Sequence, residues 1–493
     1  MTGMDQALHR LALGAMLASF PGTTPPAWAE RLLEEGLAGY VLFGYNVAAP
    51  DQLRDLVSRL RTVRPDVIVG IDEEGGDVTR LAHAEGSHYP GNAALGAADD
   101  TDLTREVYRA IGNELHDLGI NLNLAPDVDV NTSDENPIIG TRSFGTDPGL
   151  VARHAAAAVA GLQSAGVAAC AKHFPGHGAT VADSHAELPT VDASPDLLRE
   201  RELPPFVAAI EAGARAVMTA HIRIPALTGD GPATLSRRVL TDLLRGQLGF
   251  SGAVLTDALE MRGASAGIGI PETAVRALAA GADVLCIGAK VDADLMATTA
   301  AAVVAAVREG RIPTSRLEQA VERTTALAAT PPASGPGISP AQAFHLAVSA
   351  ARRALRVEGS LPRLDGPLLV QIDSPATIAA GELPWGIAPY LDNGLGNGAA
   401  ADLVRVRPDD GTTAERLLAS GRDRQILVVS RDTHRHRFAR DLVTQLTAHH
   451  RDVVLVEMGW PAAWRPEGLR AYLATYGSSR ANARAAAEAL LAR

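Results

Sequence analysis

Through the first two thirds of the chain, short apolar runs rich in β-branched residues alternate with stretches of helical period. The runs are LGAMLASF (13–20), GYVLFG (39–44), VIVGID (67–72), INLNLAP (120–126), GVAACAKHF (166–174), AVMTAHI (216–222), GAVLTDAL (252–259) and DVLCIG (283–288). Eight runs with amphipathic segments between most of them predict a (β/α)8 TIM barrel. Two helices are sharply marked. DQLRDLVSRLRTV (51–63) follows Pro50 with Asp51 placed as an N-cap. TREVYRAIGNELHDLG (104–119) ends on Gly119, a residue suited to the position just past a helix.

The pattern then breaks. TPPASGPGISP (330–340) is too rich in proline, glycine and serine to hold a helix or a central strand. Beyond it, a helix over 341–355 leads into PLLVQID (367–373), ADLVRVR (401–407), RQILVVS (424–430) and DVVLVEM (452–458), with further helices over 437–450 and at the Ala-rich end. The chain therefore reads as a barrel domain over 1–329, a linker over 330–340, and a smaller α/β sandwich with a largely parallel sheet over 341–493. The second domain is expected to brace the barrel or to assist assembly, as monomer or homodimer.

Charge narrows the partners. A net charge of −12, spread along 493 residues, disfavours nucleic acid and anionic membrane and leaves a small neutral ligand open. Cys170 and Cys286 lie in apolar runs without Cys-x-x-Cys spacing and read as reduced core residues. The run 11–20 has the apolarity of a leader's core, but Asp5 precedes it and it serves equally as a first barrel strand. The expectation is a cytoplasmic protein, and no run is long and apolar enough to span a membrane.

The informative positions are the last residues of the runs. Asp72, Asp127, Lys172, His173, His221 and Asp257 all stand at C-terminal strand ends, which gather at one mouth in a barrel. A ring of charged groups there implies a polar pocket. KHFPGHGATVADSH (172–185) suggests metal at first sight, but Pro175 and Gly176 keep His173 and His177 off a common helix face. No metal or organic cofactor is expected, and hydrogen-bonded turn residues are the plain alternative for these histidines. Asp183 lies two residues before His185; a carboxylate beside an imidazole fixes its tautomer and favours the charged form, giving a proton donor and acceptor near neutral pH. Asp257, in LTDALEM, could be a nucleophile, a base, a pocket anchor or a helix cap, and Asp72, before a glycine pair, could be a cap or turn former.

Taken in order, IDEEGG, KHFPGHG, DSH and LTDALEM resemble the family 3 glycoside hydrolases, and within them the bacterial β-N-acetylglucosaminidases. The likeness runs from Leu11 to about Ala328 and returns in YLATYGSSRANARAAAEALL. The resemblance implies Asp257 as nucleophile, His185 as acid/base on a mobile loop, and Asp183 as its partner. It implies that Asp72, Arg80, Arg142, Lys172 and His173 hydrogen-bond the sugar. One position departs: the family commonly has arginine after the glycine pair, and here Asp77 stands there, a charge reversal expected at the pocket wall that could alter specificity. The implied activity is retaining, exo-acting removal of terminal β-linked GlcNAc from chitooligosaccharides, cell-wall fragments or glycoconjugates. A β-glucosidase, a catalytically silent sugar-binding module and a metal-dependent barrel hydrolase are the competing readings. A histidine base, unlike a carboxylate, does not repel anions, so phosphate could replace water and make the protein a phosphorylase.

Overall fold

The computed structural model describes residues 3–329, 333–334, 337–391, 402–408 and 411–492. Two compact units are present, and no single cut along the chain separates them. The first comprises Met1–Glu74, Thr104–Ile139 and Thr146–Ile338; the second comprises Gly75–Leu103, Gly140–Gly145 and Ser339–Arg493. Residues 330–332 and 335–336 of the expected linker lie outside the described residues.

The first unit is a parallel barrel. Its strands are β1 (Met16–Ala18), β2 (Gly39–Leu42), β3 (Ile68–Ile71), β4 (Leu122–Asn123), β5 (Ala168–Phe174), β6 (Ala216–Thr219), β7 (Ala253–Thr256) and β8 (Leu285–Cys286). They pair in the order β7-β6-β5-β4-β3-β2-β1-β8, and a parallel bridge between Leu255 and Val284 joins the two ends. Every strand sends a side chain to one buried cluster, with Leu17, Val41, Ile68, Leu122, Cys170, Met218, Leu255 and Cys286 among them. This filled interior is what the apolar runs predict, and both cysteines sit in it as free thiols.

Two local expectations are corrected. The run 13–20 is not all strand: a helix, Gly3–Gly14, takes its first residues, and β1 is left with Met16–Ala18. Leu8, Ala12 and Leu13 lie on the buried side of that helix, so helical spacing wins there. Asp51 is not the N-cap; the helix is Pro50–Val63, capped at Ala49, and Asp51 sits in its first turn paired with Arg54 at 2.6 Å. Gly119 does what its place suggested, with φ of 79° and its N–H donating to the His116 carbonyl after the helix Thr101–Asp117.

The second unit is an α/β sandwich. Its strands are β9 (Arg356–Gly359), β10 (Leu368–Ile372), β11 (Asp402–Val406), β12 (Ile426–Ser430), β13 (Val453–Glu457) and β14 (Ala471–Ala474), in the order β11-β10-β12-β13-β14-β9. Among the described strands, β9, at the edge, is the one that runs antiparallel. Alternate residues feed two cores, Val370, Val428 and Leu455 on one face and Leu369, Leu427 and Val454 on the other. The helix expected at 341–355 is Pro340–Ala354, opened by a capping box between Ser339 and Gln342. Among the described residues, no helix is long and apolar enough to cross a membrane.

Candidate active site

The site is built on strand ends. Lys172, near the end of β5 and almost fully buried, lies between two carboxylates, 2.8 Å from Asp72 and 2.7 Å from Glu74. The turn that carries them is pinned from β4: Asn123 accepts from the Glu73 N–H at 3.0 Å and donates to the Glu73 carbonyl at 2.8 Å. His173 follows, with Nδ1 at 2.7 Å from Asp129 Oδ2. The His173 and His177 N–H groups both donate to Asp129 Oδ1, at 3.3 and 2.6 Å. Burial works against the Asp129 carboxylate, but the two histidines and these hydrogen bonds outweigh it and hold its pKa below the ordinary value.

His177 is a structural residue of this turn. Its ring is bonded to Thr180 Oγ1 at 2.9 Å and to Ser184 Oγ at 3.1 Å, and burial depresses its pKa to about 4, so it is neutral. It thereby fastens the base of the loop that carries the next pair. His185 Nδ1 lies 2.7 Å from Asp183 Oδ1, which also accepts from the His185 N–H at 2.8 Å. Both side chains are about one quarter exposed. Partial burial pushes the Asp183 carboxyl up, and the bonds and charge of His185 pull it down further, leaving it below its usual range. With Nδ1 bonded to Asp183, proton exchange at His185 would run through Nε2.

Asp257 stands one residue past β7, its Oδ1 accepting from the Ala258 N–H at 2.7 Å. Desolvation raises its pKa, but the charges of His221, His173 and His185 prevail and keep it below the usual carboxylate value. His221 is fully buried behind it, bonded to Thr234 Oγ1 at 2.7 Å and to the Ala258 carbonyl at 3.0 Å. The segment after Asp257 also receives the dyad loop. Gly263 N–H donates to the Ser184 carbonyl at 3.1 Å, and Arg262 N–H to the His185 carbonyl at 3.4 Å. Gly263 is needed for this approach: a Cβ there would come within 2.9 Å of the Ser184 carbonyl oxygen and 3.1 Å of the Glu187 carbonyl oxygen.

Thus Asp72, Lys172, His173, Asp183, His185 and Asp257 all lie at C-terminal strand ends of the barrel unit or on the loops that follow. Glu74 and Asp129 were not singled out from the sequence, although EE before a glycine pair and the DVDV stretch carry them. Asp127, Asp129 and His173 bring potential ligand atoms within 4.8 Å of one another. Their hydrogen bonds account for that proximity: the Asp129 N–H donates to Asp127 Oδ1 at 2.9 Å, and Asp129 receives His173 and His177.

Comparison with known proteins then places the chain. Residues 15–327 match the sequence profile described as the glycosyl hydrolase family 3 N terminal domain. The chain belongs to glycoside hydrolase family 3. This family 3 member is 37% identical over 284 residues to beta-hexosaminidase A of Pseudoalteromonas piscicida, a match over 53% of the chain and about half, 47%, of that relative's length. It is 37% identical over 265 residues to the beta-hexosaminidase of Stenotrophomonas maltophilia (strain K279a), covering 52% of the chain and 78% of that relative. A solved family 3 beta-N-acetylglucosaminidase from Paenibacillus sp. str. FPU-7 superposes with a TM-score of 0.88 at 34% identity, over 98% of this chain and 96% of that one.

Arg80 and Arg142 belong to the second unit of this family 3 member. Arg142 is largely buried, in a helical turn Gly140–Arg142, and its carbonyl accepts from Asn92 Nδ2 at 2.6 Å. Arg80 donates from Nη2 to the Ala379 carbonyl at 2.8 Å. The departing residue, Asp77, is committed to structural contacts. Its Oδ2 accepts from Thr141 Oγ1 at 2.6 Å, and its Oδ1 accepts from the Ser478 N–H at 3.1 Å and from the Ser478 hydroxyl.

Proposed function

We propose that this family 3 member is a retaining, exo-acting β-N-acetylglucosaminidase with Asp257 as nucleophile, His185 as acid/base and Asp183 as the partner of His185. The observation that carries the reading is the docking of the dyad loop on the segment after β7, through the backbone bonds to Arg262 and Gly263. It seats the His185 imidazole on the segment that follows Asp257, whose carboxyl is held below its usual pKa range by His221, His173 and His185. The beta-hexosaminidase relatives and the Paenibacillus enzyme support the choice of sugar.

In the first step an Asp257 oxygen attacks the anomeric carbon as the bond to the leaving oxygen breaks, and the Nε2 proton of His185 passes to that oxygen. In the second step neutral Nε2 takes a proton from water, the water oxygen bonds to the anomeric carbon, and Asp257 departs. Asp183 stabilises the imidazolium that precedes the first step and is restored by the second. Asp72, Arg80, Arg142, Lys172 and His173 hold the hydroxyls, so that binding along the sugar orients the reacting carbon. The substrates in this reading are chitooligosaccharides, cell-wall fragments or glycoconjugates ending in β-linked GlcNAc.

We also read the protein as cytoplasmic and as a monomer or homodimer, which fractionation and sizing test. The deciding experiment compares nitrophenyl β-GlcNAc, nitrophenyl β-glucoside and chitobiose, each with and without phosphate. Release of GlcNAc from the first and third is expected. Preference for the glucoside would replace the sugar assignment, and sugar 1-phosphate would make the enzyme a phosphorylase.

A further inference from the structure

We propose that Asp77 is a positioning residue that sets Arg80 and Arg142 by tying both of their loops to Ser478. The proposal rests on the reading that these arginines hold the sugar. Three stretches distant in sequence meet at one carboxylate. The glycine-pair loop carries Asp77 itself, three residues before Arg80. The Arg142 turn supplies Thr141 Oγ1 at 2.6 Å, and the segment after β14 supplies both donors of Ser478.

The surroundings leave this carboxylate little freedom. Gly76, with φ of 61°, packs so closely that a Cβ would lie 2.5 Å from the Gly91 Cα, and its N–H donates to the Tyr89 carbonyl at 3.0 Å. Ser478 is buried, and its hydroxyl also accepts from Arg431 Nη1 at 3.2 Å. The Arg431 guanidinium in turn lies over the Trp385 ring, 5.0 Å from its centre. Two further contacts hold the same segment: Arg480 N–H donates to the Ser87 carbonyl at 2.9 Å, and the Arg480 side chain pairs with Glu85 at 2.6 Å.

The chemistry of the position fits acceptance alone. A carboxylate can take all three donors at once, whereas a guanidinium has no acceptor and would leave the Ser478 N–H and the Thr141 hydroxyl facing another donor. The residue that reverses the family's charge is therefore a clamp in this chain. It acts on the sugar through the two arginines and does not touch the sugar itself. Asparagine can reproduce the clamp: its oxygen accepts from Ser478, and its amide donates to Thr141 Oγ1.

The test is steady-state kinetics on nitrophenyl β-GlcNAc with the full chain. Asp77→Ala is expected to raise KM about tenfold or more with kcat within about threefold, because contacts made equally in ground and transition states are lost. Asp77→Asn is expected within about twofold of the parent on both constants, a rescue that the charge alone would not give. Thr141→Val removes only the arm next to Arg142 and is expected to raise KM about threefold, which keeps the test open should Asp77→Ala fail to fold. Parental KM in both Asp77→Ala and Thr141→Val would overturn the clamp, as would an Asp77→Asn variant as impaired as Asp77→Ala. Asp257→Ala serves as the control: if it retains turnover, the site reading itself fails, whereas an inactive Asp257→Ala alongside unchanged KM in the clamp variants removes the clamp alone.

Discussion

Two histidine–aspartate pairs stand in the barrel unit with the same contact, Nδ1 to carboxylate at 2.7 Å, in opposite settings. Asp129 is fully buried, and its pair with His173 is closed by backbone N–H groups from His173 and His177. Asp183 and His185 are each about a quarter exposed, on a loop fastened by His177, Ser184 and two backbone bonds to the segment after β7. The difference teaches what geometry alone does not. A pair sealed from water can orient a ring but cannot trade protons, whereas a half-open pair can do both. The acid/base assignment follows solvent access as much as residue type.

The sharpest way to break this comparison is to remove one ring. His185→Ala should slow substrates with poor leaving groups by about 10²–10⁴ and leave nitrophenyl sugars far less affected, since these need little proton donation. Equal loss on both classes, measured as kcat/KM, would contradict the assignment. The buried pair should answer in stability instead. Asp129→Ala leaves His173 and two N–H groups without their acceptor and is expected to cost about 3–5 kcal/mol by chemical denaturation, while Asp183→Ala should cost no more than about 1 kcal/mol.

A third test uses pH. Glu202 packs against Gly176 in the turn between the two pairs, and burial raises its carboxyl pKa from 4.5 to about 7. The folded state therefore holds this proton more tightly than the unfolded chain. That contribution is complete below pH 4.5 and is lost as pH rises to about 7. Glu202→Gln should flatten that fall and gain about 1–3 kcal/mol relative to the parent between pH 4 and 8. The smallest expected effect sharpens the loop argument. Gly263→Ala must push Ser184 and Glu187 away, and should lower kcat/KM on poor leaving groups about tenfold while sparing nitrophenyl substrates. An unchanged ratio between the two substrate classes would show that the loop's seat does not matter.

Much of the barrel site was legible because apolar runs end abruptly in charged residues. Asp72, Lys172, His173 and Asp257 are found by that rule, and Asp183 with His185 by their spacing. Glu74 and Asp129 were not, because their meaning lies in partners far along the chain, Lys172 and His173. Strands β9 and β14 escaped for a different reason. β9 is a short, mostly exposed edge, and β14 is four residues long, so neither shows a period of its own. The allocation of 75–103 and 140–145 to the second unit was invisible as well, since it depends on contacts such as Asp77 with Ser478 that composition does not encode. Asp77 read as a charge reversal near the pocket wall; its hydrogen bonds to Thr141 and Ser478 depend on partners that its place in the sequence does not reveal.

The pairing of β1 with both β2 and β8 has a consequence for biosynthesis. β2 follows β1 closely along the chain, but Leu285–Cys286 is made only after all the other strands of the barrel. Until then one side of β1 is an open row of peptide groups, able to pair with a neighbouring nascent chain.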